Sequence, residues 1–181
     1  MSFDFKVLDS EKVDGVKIVT PSVAKDYRGT IWTSFLKEEL NDLLPDNLSF
    51  IHDKFSESEN NVLRGIHGDQ KTWKLVTSVY GEIYQVVVDC RKESDTYRNW
   101  QGFTINKHQQ CSVLIPPGVG NAFYVSSQIA VYHYKLAYRD GYNDIDNQFT
   151  VSWDDEKYNI EWPTDKPILS ERDAIERASV K

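Results

Sequence analysis

The stretch that decides the fold class is Leu75-Val76-Thr77-Ser78-Val79, then Tyr80-Gly81-Glu82, then Ile83-Tyr84-Gln85-Val86-Val87-Val88. Two short runs rich in β-branched residues flank a glycine-centred break, the pattern of two strands (75–79 and 81–88) joined by a hairpin turn. The same grammar runs outward in both directions. Further strands are predicted at 16–19, 30–35, 100–105, 112–115, 121–125, 129–137 and 149–153, and Pro116-Pro117-Gly118 breaks the chain before Asn121. Helical spacing is confined to two places. Residues 34–44 carry Phe35, Leu36, Leu40, Leu43 and Leu44 and end before Pro45, and residues 170–180 open on Ser170 with Asp173 three positions on, a capping arrangement. Many short strands and few helices predict an all-β sandwich or barrel, one domain over residues 1–181, with room for a small-molecule cavity among inward-facing polar side chains.

The 181-residue chain has a formal charge of −7, which argues against a nucleic-acid-binding protein because no basic stripe is available to neutralise phosphates. A nucleotide ligand, needing only a local basic pocket, stays open. No apolar run approaches the ~20 residues of a membrane span, and the charged start from Met1 to Lys12 lacks the apolar core of a signal peptide. A soluble, cytoplasmic protein is expected. Cys90 and Cys111 lie in strand-like stretches without CxxC spacing and read as free thiols rather than as a disulfide or metal pair. Twenty-three aromatic residues (5 Trp, 10 Tyr, 8 Phe) suit a pleated core, with a few left over to stack on a sugar or base.

Four segments carry chemistry: Arg64-Gly65-Ile66-His67, Lys74, Tyr134-Lys135 and Ser170-Glu171-Arg172-Asp173. His67 suits a general base, since imidazole titrates near neutrality, and Asp173 is one candidate for the carboxylate that orients it. Alternation on a strand puts Tyr132 and Tyr134 on one face and His133 and Lys135 on the other; as a phenol, Tyr134 also suits delivery of a proton from the side opposite a histidine base. Lys74, between apolar neighbours, suits the stabilisation of an enolate oxygen. Arg28 and Arg64 suit bidentate anion binding. Each has a structural alternative: a core or surface histidine, packing tyrosines, surface ion pairs. His52, His67, His108 and His133 show no HxH or HExxH spacing, and GxGxxG, Walker A and GxSxG sequences are all missing, so no metal and no cofactor is expected.

Several stretches together resemble the dTDP-4-dehydrorhamnose 3,5-epimerase family. They are Asn61-Val62-Leu63-Arg64-Gly65-Ile66-His67, Lys74-Leu75-Val76, the run from Tyr80 to Ser94, Ile115-Pro116-Pro117-Gly118, Tyr134-Lys135, Glu161-Trp162-Pro163 and Leu169-Ser170-Glu171-Arg172-Asp173, with Asp26-Tyr27-Arg28-Gly29 upstream. The resemblance runs in order from Val16 to Asp173. It implies a cupin-type jelly-roll barrel without a metal, a homodimer that exchanges N-terminal strands, and nucleotide-linked 4-keto sugars as substrates. Residue by residue it implies that His67 is the base, Asp173 its paired carboxylate, Tyr134 the acid on the opposite face of the sugar and Lys74 the lysine near the keto oxygen. Arg28 and Arg64 match arginines of the phosphate and sugar region. A C4 ketone acidifies the hydrogens on C3 and C5, so His67 removes one to leave an enolate, Lys74 holds the charge on O4, and Tyr134 reprotonates from the other side.

Three departures stand out. Asn121 replaces a histidine in the family's Pro-x-Gly-Phe-Ala-His-Gly-Phe run, Gln85 replaces an aspartate, and Phe50-Ile51-His52-Asp53-Lys54-Phe55 departs from the usual Gln-Asp-Asn-His. A charged pair thus reads as a neutral Asn/Gln pair in which Asn121 can still donate to O4, and His52, Asn121 and Gln85 join the candidate substrate-binding residues. The pattern resembles a branch acting on GDP-linked 4-keto heptoses in bacterial capsule synthesis, which favours GDP over dTDP. C3-only epimerisation, 3,4-ketoisomerisation and a non-catalytic sugar-binding cupin remain open alternatives.

Overall fold

The structure, a computed structural model, describes residues 4–143 and 145–175. In chain order the elements begin with β1 (Phe5–Asp9), β2 (Lys17–Pro21), β3 (Val23–Asp26), β4 (Gly29–Trp32), α1 (Lys37–Leu40), β5 (His52–Glu59) and β6 (Leu63–Gly68). They continue with β7 (Trp73–Tyr80), β8 (Ile83–Asp89), β9 (Trp100–Ile105), β10 (Ser112–Ile115), β11 (Val119–Val125), β12 (Ile129–Ala137), β13 (Phe149–Thr150) and α2 (Glu171–Ile175). A six-stranded sheet in the order β1-β2-β10-β7-β12-β5 faces a five-stranded sheet in the order β13-β6-β11-β8-β9, and β3 and β4 form a separate ribbon. This is the jelly-roll sandwich. Among the described residues no helix is long and apolar enough to cross a membrane.

The opening stretch is two strands and a turn, but not a hairpin: β7 belongs to the six-stranded sheet and β8 to the five-stranded one. The turn steps between sheets. It needs Gly81, at φ +81, because a Cβ there would lie 2.2 Å from the Ile129 carbonyl oxygen. The reason is in β8 itself, where Ile83, Gln85, Val86, Val87, Val88 and Asp89 are all buried. A strand apolar on both faces belongs between partners, here β11 and β9, rather than beside its sequence neighbour.

The inward faces of both sheets build the core, with Val76, Val113, Ile115 and Tyr132 meeting Ile83, Val87, Val119 and Phe123. Outside the six-stranded sheet, Leu40 and Leu44 pack on Val19, Leu75, Leu114 and Ala137. The helix predicted over 34–44 is shorter, Lys37–Leu40 followed by a 3-10 turn at Asn41–Leu43, and Phe35, Leu48 and Phe50 from the chain on either side complete the cover of that face. Outside the five-stranded sheet, Val151, Tyr158, Ile160 and Trp162 cover Ile66, Val86, Val88 and Ala122. Strand 149–153 shrinks to Phe149–Thr150 and strand 30–35 to Gly29–Trp32. The helix predicted over 170–180 is seen as Glu171–Ile175, and its remainder lies outside the described residues. β1, β3, β5 and β6 carry too many polar residues to stand out by periodicity. Cys90 and Cys111 are free thiols, both raised to about 11 by burial.

The loop after β8 is tied by a fully buried carboxylate. Asp89 accepts hydrogen bonds from Arg91 Nε (2.9 Å), Ser94 Oγ (2.6 Å) and Thr96 Oγ1 (2.6 Å). Burial alone would raise its pKa, but these bonds outweigh it and hold the group at about 2. A folded-state pKa below the unfolded 3.8 stabilises the protein above about pH 4, and that stabilisation is lost as pH falls towards 2. Asp89→Asn is expected to remove about 2 kcal/mol at neutral pH, a fall in Tm of roughly 4–8 °C for a chain of this size. Calorimetry at pH 7 and pH 3 checks it: the gap between variant and wild type should narrow at the lower pH, and a gap independent of pH would contradict the assignment.

Candidate active site

At one end of the sandwich the core gives way to a cavity of about 350 Å³. Its walls come from both sheets: His67 of β6 and Asn121 of β11 from one, Lys74 of β7 and Tyr134 of β12 from the other. Asn121 stands beside His67 in the ladder, and Lys74 beside Leu136. Strand alternation would send Arg64 and His67, three residues apart, to opposite faces. They line the same cavity because the register between β6 and β11 slips between Phe123–Arg64 and Asn121–His67, giving β6 one extra residue. Gly65 sits in that bulge, where a Cβ would come within 2.5 Å of Ala122 Cβ.

His67 Nε2 lies 2.6 Å from Asp173 Oδ1, and Asp173 is only 3% exposed. Its other oxygen accepts from Ser170 Oγ at 2.9 Å, and Ser170 Oγ in turn accepts the Asp173 backbone N–H at 3.2 Å, so the cap of α2 also fixes the carboxylate. Burial would raise the Asp173 pKa, but the bonds from His67 and Ser170 prevail and keep it below the usual range. An ionised carboxylate only accepts, so Nε2 carries a proton, and in the neutral imidazole the lone pair is then on Nδ1.

Lys74, 7% exposed, has its pKa lowered to about 8, first by burial. Asp69 pulls it back upward, and Lys54 and Arg172 push it down. The Tyr134 phenol is pushed up to about 12 by burial, so it stays protonated at neutral pH. Lys54 Nζ sits 5.0 Å from the Tyr134 ring centre and donates to Tyr142 Oη at 2.9 Å. On a chain of net charge −7, the cavity gathers four cations, Lys54, Arg64, Lys74 and Arg172, against the carboxylate of Asp173. That balance suits an anionic ligand. One Arg172 amino group is buried without a hydrogen-bond partner, while Nε donates to Thr150 Oγ1 at 2.9 Å.

Of the residues singled out in the sequence, His67, Lys74, Tyr134, Asp173, Arg64 and Asn121 meet in this cavity. Gln85 does not line it: fully buried, it lies behind Asn121, donating Nε2 to Asn121 Oδ1 at 2.7 Å. His52 stands one layer out, its Nδ1 3.1 Å from Tyr138 Oη and its ring 5.1 Å from that of Tyr142, which lines the cavity. Arg28 is elsewhere, at the tip of the exposed β3–β4 ribbon, paired with Asp26. β3 and β4 pair with each other in a two-stranded sheet of their own. Lys54, Tyr142 and Arg172 were missed as cavity residues. Lys54 lay in the departing run around His52 and Arg172 next to Asp173, whereas Tyr142 had no signal of its own. Among the described residues no three His, Cys, Asp or Glu side chains converge as a metal site would require.

The family model described as dTDP-4-dehydrorhamnose 3,5-epimerase matches residues 10–179. The Salmonella typhimurium dTDP-4-dehydrorhamnose 3,5-epimerase is 34% identical over 166 residues, 90% of this chain and 89% of that protein. The crystal structure of dTDP-6-deoxy-D-glucose-3,5-epimerase from Legionella pneumophila, in complex with dTDP-4-keto-L-rhamnose, is similar with a TM-score of 0.86 and 31% identity, covering 95% of this chain and 91% of that one. The dTDP-4-dehydrorhamnose 3,5-epimerase of Bacillus anthracis, with TDP and pyrophosphate bound, has a TM-score of 0.84 at 32% identity, covering 95% of this chain and 98% of that one.

The cluster of cations is testable without a substrate. With ε-¹³C-labelled lysine, Lys74 is expected to titrate at about 8, with Lys54→Met moving that midpoint upward by removing a neighbouring positive charge. A midpoint near the ordinary 10.5 would contradict the burial argument.

Proposed function

The chain belongs to the dTDP-4-dehydrorhamnose 3,5-epimerase family, and from that premise we propose that it inverts C3 and C5 of a nucleotide-linked 4-keto sugar without a metal or cofactor. One observation carries the reading: His67 of the five-stranded sheet, paired with Asp173 of α2, lines one cavity with Tyr134 and Lys74 of the six-stranded sheet. His67 Nδ1 takes the proton from the carbon next to the ketone. The resulting imidazolium is stabilised by Asp173, and the enolate oxygen by Lys74. Tyr134, still protonated, returns a proton from the facing wall, and delivery to the opposite side is what inverts the centre. Arg64, Arg172 and Lys54 hold the diphosphate.

The substrate we favour within this class is a GDP-linked 4-keto heptose of bacterial capsule synthesis. The support is the departure at Asn121, Gln85 and the run around His52, a run whose Lys54 lines the cavity and whose His52 packs on the cavity residue Tyr142. We also propose a cytoplasmic homodimer in which Arg28 serves the partner's cavity. Its ribbon carries Tyr27 (97% exposed) and Ile31 (61% exposed), apolar surface that a second copy would cover.

The test is incubation with GDP- and dTDP-linked 4-keto sugars in D₂O, following C3–H and C5–H by NMR. Exchange at both carbons is expected, faster with the GDP-heptose, and exchange at C3 alone would replace this reading with the C3-only epimerase. No exchange with any 4-keto sugar would leave a binding protein. His67→Asn is expected to abolish exchange. Lys74→Met is expected to slow it ~10²–10³-fold through loss of one donor to the enolate oxygen. Tyr134→Phe is expected to impair inversion more than proton removal, and equal loss of both would remove Tyr134 from the role of acid.

A further inference from the structure

We propose that Gln85 and Tyr132 are positioning residues that fix the direction of the Asn121 carboxamide, turning its NH₂ group into the cavity as an uncharged, non-titrating donor beside Lys74. The proposal rests on the epimerase reading above and adds two residues that no substrate touches.

The hydrogens of this buried group can be placed one by one, starting from a backbone carbonyl. Gln85 has a terminal atom 3.0 Å from the Val86 carbonyl oxygen, which can only accept, so that atom is Nε2. Its second hydrogen then points to Asn121 at 2.7 Å, and the Asn121 atom receiving it must be Oδ1. Gln85 Oε1 is left needing a donor, and the Tyr132 hydroxyl supplies one at 2.5 Å while also lying 3.2 Å from Asn121 Oδ1. The hydroxyl has one hydrogen and gives it to Oε1, so Oδ1 takes its hydrogen from Gln85 Nε2, and Tyr132 holds Gln85 the right way round to supply it. Gln85 and Tyr132 are fully buried, so no water competes for these bonds, and turning the amide over would set two donors against each other in a dry core. Asn121 Nδ2 has no hydrogen-bond partner among the described residues, and Asn121 lines the cavity with Lys74 and His67. It is the free end of a chain of dipoles anchored on the main chain of β8.

The consequence for the reaction is directional. An oxygen that gains negative charge beside Lys74 meets a second donor whose orientation is set before the substrate arrives, so no reorganisation is needed as the charge develops. An amide does not titrate, so this donor is present at every pH at which the protein is folded. Tyr132 also packs face to face on Phe123 (4.1 Å between ring centres) and edge-on to Tyr134 (4.6 Å), and a phenylalanine would preserve both contacts.

The test uses two near-isosteric variants of the full chain, Gln85→Glu and Tyr132→Phe, with exchange at C3 and C5 followed in D₂O. In Gln85→Glu, measured above the pH at which that buried carboxyl ionises, the carboxylate has no hydrogen for Asn121, the amide turns to donate to it, and an acceptor faces the developing charge. A loss of kcat of about 100-fold is expected, with KM changed less than about threefold. Tyr132→Phe weakens the lock without reversing it, and kcat is expected to fall about tenfold, again with KM held. Should the glutamate variant fail to fold, Tyr132→Phe decides alone. A kcat within twofold of wild type in the folded variants, or a rise in KM with kcat unchanged, overturns the lock and leaves the epimerase reading standing. Wild-type protein that exchanges no 4-keto sugar overturns both.

Discussion

The hydrogen bond between His67 and Asp173 joins residues 106 positions apart, and the site depends on it. β6 alone offers an imidazole with two equivalent tautomers and a free ring. α2 alone offers a buried carboxylate that would pick up a proton. Together each settles the other: the histidine keeps Asp173 ionised, and Asp173 leaves the lone pair of His67 on Nδ1. Ser170, by capping α2 and bonding Asp173, makes that geometry a property of the helix start rather than of a loose side chain.

The second constraint is dielectric. A sandwich closed by Val, Ile, Phe and Tyr side chains is a poor medium for charge, and the cavity at its end inherits that property. The same burial lowers Lys74 towards neutrality and raises Tyr134 away from it. Two groups with almost the same ordinary pKa are thereby driven apart, the ammonium down to about 8 and the phenol up to about 12. Arg64 reaches the same space only through the bulge in β6, which shows how a single extra residue redirects a side chain that alternation would send outward.

The fold class was legible because β-branched runs and Gly/Pro breaks are local signals. Strand pairing was not: the turn at Gly81 reads as a hairpin, yet whether it folds back or crosses to the other sheet is decided by how much of β8 is buried, a property of distant strands. β5 and β6, polar because they form an edge and a site, were invisible to periodicity for that reason. In the site, residue type and chain order single out His67, Lys74, Tyr134 and Asp173, and the structure gathers all four at one cavity. Gln85 was read as touching the ligand and instead lies behind Asn121, since sequence gives no depth. Arg28, expected in the cavity from its motif, is paired with Asp26 on an exposed ribbon, because position along the chain does not fix which way a two-stranded excursion projects.

The central claim is that base and acid address opposite faces of one sugar ring. A crystal structure with an unreactive nucleotide sugar, carrying a hydroxyl in place of the C4 ketone, addresses it directly. The account predicts the ring between the sheets, with His67 Nδ1 and Tyr134 Oη each about 3–3.5 Å from it on opposite faces and the C4 oxygen towards Lys74 and Asn121. A ring that presents the same face to His67 and Tyr134, or that lies outside the cavity with its C4 oxygen away from Lys74, would contradict it.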